Sequence, residues 1–232
     1  MNINKHKVLA TWVRAFFDAF SSGVIDNSQL PAEERRQPKN VKQSMLDHYE
    51  RIAPAFFDAM FFPLAAMNFS YEEIERVVRE AQQHGEDMQS LVRRACASDA
   101  FYEAMAAEYK RNFSSLLGGC CPSVADHFAS YVRGEGGEGF DSDRAIELTV
   151  RVVMHAYVGG LRQSGCDAPR FRQATLYRLL LDAMNVLLGD APADYSQCGE
   201  NLTAMFVRAC QSEHNFSVMT AEMDRTHGEI MG

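Results

Sequence analysis

No two of the six cysteines stand in a C-x-x-C spacing. That spacing carries zinc fingers and dithiol redox pairs, so neither is expected. Cys120-Cys121 with His127 lacks the paired ligand spacing of a structural zinc site. Asp224 and His227 make one D-x-x-H, whereas a carboxylate di-metal bundle needs two such pairs and two further carboxylates. We therefore expect no metal and no cofactor. Long apolar runs are also missing. The apolar uncharged run Ala59 to Tyr71 is only 13 residues and contains Pro63. A membrane span needs roughly 20 apolar residues, so no membrane partner is expected. The first residues, MNINKHKVLATWVRAFFDAF, show neither the long apolar core nor the cleavage site of a signal peptide. The thiols then read as reduced and the location as cytoplasmic.

Strand-like alternation is scarce, and no internal repeat is evident. The glycine-rich stretch Gly134 to Gly139 has no lysine after it, and Glu135 and Glu138 would repel phosphate. It reads as a connector rather than a phosphate loop. Ser130, Ser217 and the cysteines have no nucleophile elbow around them. No catalytic residue is assigned, and the reading leans against an enzyme, with one whose site is assembled from distant helices ranked last.

What remains is helix. Apolar residues make up 47% of the 232-residue chain, enough for a large core. The fold class is all-α, a bundle of nine to ten helices around a buried central helix at 142–158. In that helix Ala145, Ile146, Leu148, Val150, Val152, Val153, Met154, Ala156 and Tyr157 leave one polar edge, Glu147, Arg151 and His155, ending at Gly159-Gly160. The first helix runs from Asn4 to Phe20 with Val8, Leu9, Trp12, Phe16 and Phe20 inward, and Ser21-Ser22-Gly23 ends it. A helix from Val41 through Ile52 meets Pro54, which kinks or breaks it, and Ala55 to Met67 follows. The capping box Ser70-Tyr71-Glu72-Glu73 opens a helix that stops at His84-Gly85. Further helices are expected at 88–95, 98–113, 123–132, 170–188, 197–211 and 218–230.

The aromatic group Phe56, Phe57, Phe61 and Phe62 covers too much of one helix for a single flat contact. It either packs a core or lines a cavity. The cavity reading places Phe57, Met60 and Phe61 around a small apolar ligand, with Arg151 and His155 as its polar groups.

Net charge is −8, which opposes broad nonspecific binding to nucleic acid. The charge is uneven. Residues 1–51 hold eight Lys and Arg against six Asp and Glu, and residues 52–232 hold fifteen against twenty-five. Lys42-Gln43-Ser44-Met45-Leu46-Asp47-His48-Tyr49 resembles the recognition helix of TetR-type transcription regulators, and FFDAFSSG resembles the end of their first helix. The resemblance implies a head at residues 1–52 and a ligand-binding, dimerising body at 53–232. It also implies that Lys39, Lys42, Gln43, Ser44, His48 and Tyr49 lie against duplex DNA, largely at phosphates. The chain departs from that family at Pro31 and Pro38, where the second head helix and its turn belong. A second resemblance, Trp12 with Phe57-x-x-Met60-Phe61 and Pro63, is to the early globin helices, but no histidine stands where haem iron needs one. Two readings follow: a ligand-responsive, homodimeric DNA-binding regulator, or an adaptor or assembly subunit that binds another protein.

Overall fold

Asn4 and Asp141 open two helices in the same way. Asn4 has φ −57° and ψ 128°, and its side chain accepts from the amides of His6 and Lys7. Asp141 has φ −57° and ψ 129° and accepts from the amide of Arg144. Each cap satisfies amides that a helix start leaves without partners. A three-residue strand precedes each: β1 (Asn2–Asn4) and β2 (Gly139–Asp141). They pair antiparallel, Asn2 with Asp141, Ile3 with Phe140 and Asn4 with Gly139. Strands this short leave no alternation to read, so the sequence pattern misses them.

The computed structural model describes residues 2–27, 49–66, 71–86, 90, 93–94, 99, 102–103, 106–108, 139–163, 169–189 and 201–232. These residues are predominantly helical. They hold seven helices: α1 (Lys5–Asp26), α2 (Tyr49–Ala66), α3 (Tyr71–His84), α4 (Ser142–Arg162), α5 (Gln173–Leu188), α6 (Leu202–Ala209) and α7 (Glu213–Met231). The helices expected at 88–95, 98–113 and 123–132 fall wholly or mostly outside the described residues.

α4 is the expected central rod, and α1, α2, α5 and α7 all pack on it. It is longer than its pattern indicated, because Gly159-Gly160 lies inside the helix and not past its end. α1 likewise continues through Ser21-Ser22-Gly23 to Asp26. The reason is one contact. A methyl group on Gly23 would strike the carbonyl oxygen of Tyr157, and one on Gly160 would strike that of Phe20. The glycines are there for close backbone approach, not for stopping a helix. α1 and α4 share one core, with Trp12, Phe16, Phe20, Ile146, Val153 and Tyr157 wholly buried. The indole Nε1 of Trp12 donates to Thr149 Oγ1 at 2.8 Å. Thus α1, the expected first helix of a head, lies in the same core as the body helix α4. α1 is also long and apolar enough, by length and composition, to cross a membrane. Its scattered charges hid this from a search for uncharged runs. In the structure it is mostly buried among the other helices.

α2 carries both Pro54 and Pro63 within one helix, so Pro54 does not break it. Each proline removes a ladder hydrogen bond. Burial of Ile52, Ala55, Phe56, Phe57, Met60 and Leu64 in the core offsets that loss. α3 follows its capping box and ends at Gly85, whose φ of 62° suits a helix stop.

Among the described elements the order runs twice. β1-α1-α2-α3 is followed by β2-α4-α5-α6. α2 packs on α4 as α5 packs on α1, and α3 joins α2 as α6 joins α5. Val13-Arg14, Ala19 and Gly23 stand at the same spacing as Val150-Arg151, Ala156 and Gly160. Asp58-Ala59-Met60 of α2 corresponds to Asp182-Ala183-Met184 of α5. The described elements therefore show a correspondence that a search for a fixed period does not bring out. The matching residues are few, and the segments joining them differ in length, so no fixed period survives to be seen.

Candidate functional site

The polar edge of α4 is where charged groups gather. One helical turn separates Glu147 from Arg151 and Arg151 from His155, so all three face the same way. α2 and α7 pack along that edge. Arg151 donates to Glu222 at 2.9 Å and to Glu229 at 2.6 Å, both on α7. Glu222 is only 1% exposed. A buried carboxylate needs partners, and Glu222 has three: Arg151, Arg225, and the Thr226 hydroxyl at 3.1 Å. Arg144, one turn earlier, pairs with Glu147 at 2.8 Å.

Phe62 of α2 reaches the same edge. The guanidinium of Arg151 lies 4.8 Å from its ring centre and that of Arg144 lies 5.4 Å away. Both are cation–π distances. The ring remains 48% exposed.

His155 and Asp58 complete the seam. Burial, with Arg151 beside it, holds the imidazole of His155 below its ordinary range, against the pull of Glu229 and Asp58. The ring is therefore neutral near pH 7. Burial raises the Asp58 carboxyl, while His155 and Arg162 oppose the rise. The hydrogen bond from Arg151 holds Glu229 below the usual carboxylate range. Chemically, the seam is a charge-satisfied junction of three helices with one aromatic ring on its surface. Among the described residues no group of three or more His, Cys, Asp or Glu is arranged to hold a metal ion.

Arg151 and His155 therefore stand in this seam with Asp58 and Phe62. Phe57 and Met60 are core residues, both buried, and Phe61 packs partly buried against the same core. Lys39, Lys42, Gln43, Ser44 and His48 lie outside the described residues, and Tyr49 is the first residue of α2. Sequence reasoning missed Asp58, Glu222 and Glu229, and it named Phe62 in the aromatic group without joining it to the polar edge of α4. The signal for the two glutamates was their repeat on α7, Glu222 then Glu229, two helical turns apart.

Other polar groupings stand among the described residues. Tyr157 donates to Asp26 at 2.8 Å and accepts from the amide of Arg172 at 3.2 Å, tying the ends of α1 and α4 to the start of α5. A cleft of about 540 Å³ opens beside the strands, where Asn4, Lys7, Asp143 and His214 line it and Asp143 pairs with His214 at 2.8 Å. No family model, curated protein or solved structure matches this chain.

Proposed function

We propose that the chain is a non-enzymatic helical binding protein, an adaptor or assembly subunit that grips a protein partner at the Phe62 face. The observation that carries this reading is the half-exposed Phe62 ring with two guanidinium groups beside it. Burying such a ring against a partner is worth roughly 2 kcal/mol. Aromatic and arginine side chains together are the usual composition of an interface hot spot. The donors of Arg151 already serve two carboxylates, which fixes the guanidinium beside the ring. A photoreactive phenylalanine analogue at position 62 tests this in living cells. The expected result is a light-dependent adduct with one protein, missing when the analogue sits at the exposed Glu72. Equal, diffuse labelling at both positions would sink the reading.

A second reading rests on residues 42–49, whose resemblance to a recognition helix runs directly into α2 at Tyr49. It is a ligand-responsive regulator, a homodimer with Lys39, Lys42, Gln43, Ser44, His48 and Tyr49 on DNA and a small apolar ligand held near Phe57, Met60, Phe61, Arg151 and His155. A gel-shift series in rising salt tests it, since phosphate contacts weaken steeply with salt. Lack of any shift at low salt ends this reading. Native mass spectrometry of the purified chain reports subunit count and any retained ligand in the same measurement.

A further inference from the structure

The likeness between the halves is reciprocal at atomic detail. The Gly23 site abuts Tyr157, Gly160 and Leu161, and the Gly160 site abuts the equivalent Phe20, Gly23 and Val24. Trp12 bonds Thr149, and these two positions correspond, 137 residues apart. In β1 and β2 the central pair, Ile3 with Phe140, also joins corresponding positions. Contacts between equivalent residues mark a two-fold axis. That axis runs from the strands, past Trp12 and Thr149, to the glycine crossing.

The equivalence extends to burial and to α7. Ile52, Ala55, Phe56, Phe57, Ala59 and Met60 are buried in α2, and Leu176, Leu179, Leu180, Leu181, Ala183 and Met184 are buried at the same positions of α5. In α7 the sequence Met219-x-Ala221-Glu222-x-x-Arg225 repeats Met105-x-Ala107-Glu108-x-x-Arg111. Glu108 and Glu222 are both wholly buried, at 0% and 1% exposure. Buried glutamates are rare, so finding one at the same place in two matching motifs is a strong coincidence.

We infer that the chain is two fused copies of one unit, a strand followed by helices, which builds inside a single molecule the paired body that a shorter chain would build by dimerising. The copies have since diverged on one side. His155, Arg162 and Phe62 stand where the other copy has Asp18, Ile25 and Val186. His155 and Arg162 act together on Asp58, and Phe62 lies against Arg151. The changed residues, His155 and Arg162 from one copy and Phe62 from the other, meet in the seam described above, which makes that face, rather than either copy, the specialised one. The fusion itself does not depend on that seam binding anything.

The test exchanges the two residues that meet across the axis. Trp12→Thr alone leaves a void and Thr149→Trp alone overfills the core. Each should lower the folding constant at least about tenfold, read from urea unfolding. If the sites are equivalent, the double exchange restores most of that loss. A double variant no more stable than the weaker single one would overturn the inference. Should the exchange not fold, Val13→Ala and Val150→Ala decide the matter. These wholly buried, corresponding valines should lose stability by the same factor within about threefold. A difference beyond about tenfold would count against fusion.

Discussion

Single residues decide how the seam responds to mutation and to pH. Arg151 neutralises a carboxylate that water does not reach. Removing one member of such a pair leaves the other charged and buried, a loss of roughly 3 kcal/mol or more. Arg151→Met should therefore lower the urea midpoint far more than Arg144→Met, whose partner Glu147 is at the surface. Equal effects would mean that Arg225 alone satisfies Glu222. His155 sets a pH dependence with a definite sign. Its folded pKa lies below its unfolded one. As pH falls through about 6.5, the unfolded chain takes up a proton that the folded chain resists, and stability drops. Asp58, whose carboxyl is raised, acts in the opposite sense at lower pH. Urea midpoints at pH 7.5 and 5.5 should differ more for the wild type than for His155→Gln. Arg151 and His155 could be picked out of the sequence because helical spacing put them on one edge. Their partners could not, because Glu222 and Glu229 lie 71 and 78 residues further on, and nothing local announces which distant helix will cover an edge.

At the scale of elements, the helix crossing and the caps carry the argument. Gly23→Ala and Gly160→Ala should each abolish folding or cost more than about 3 kcal/mol, because the obstructing atoms are backbone and have no rotamer to change. Gly228, inside α7, has nothing within 4 Å of where a methyl would sit. Gly228→Ala should raise stability by about 0.5–1 kcal/mol through helix propensity. Thermal unfolding of the three variants checks both signs at once. These glycines also show where a sequence reading fails. Gly23 and Gly160 follow good helical patterns and look like stop signals. Only the neighbouring helix reveals that they are contact points. Pro54 misleads in the other direction: it looks like a breaker, yet burial around it keeps α2 whole. Where local signals and packing agree, as in the core spacing of α4, the elements emerge as expected.

For the molecule as a whole, α1 and α4 form one interior. Their amides should exchange with solvent together, only on global unfolding, while the outer residues of α7 exchange sooner. Mass-resolved hydrogen exchange would show this as one slow class spanning both helices. Separate slow classes for α1 and α4 would mean that the halves open independently. The helical class was legible from composition and spacing. The doubling was not, because a symmetric pair needs only matching shapes, and shapes can persist after most side chains have changed.

The distance between the two central partners has a consequence for synthesis. Trp12 must wait for Thr149, 137 residues later. At roughly 5–20 residues per second, that delay is on the order of ten seconds. Throughout it the aromatic side of α1, with Trp12, Phe16 and Phe20, has left the ribosome without the helix that covers it. A nascent chain in this state is a natural client for a holding chaperone, and depleting that chaperone should trap aggregates made of newly made chains rather than of finished ones.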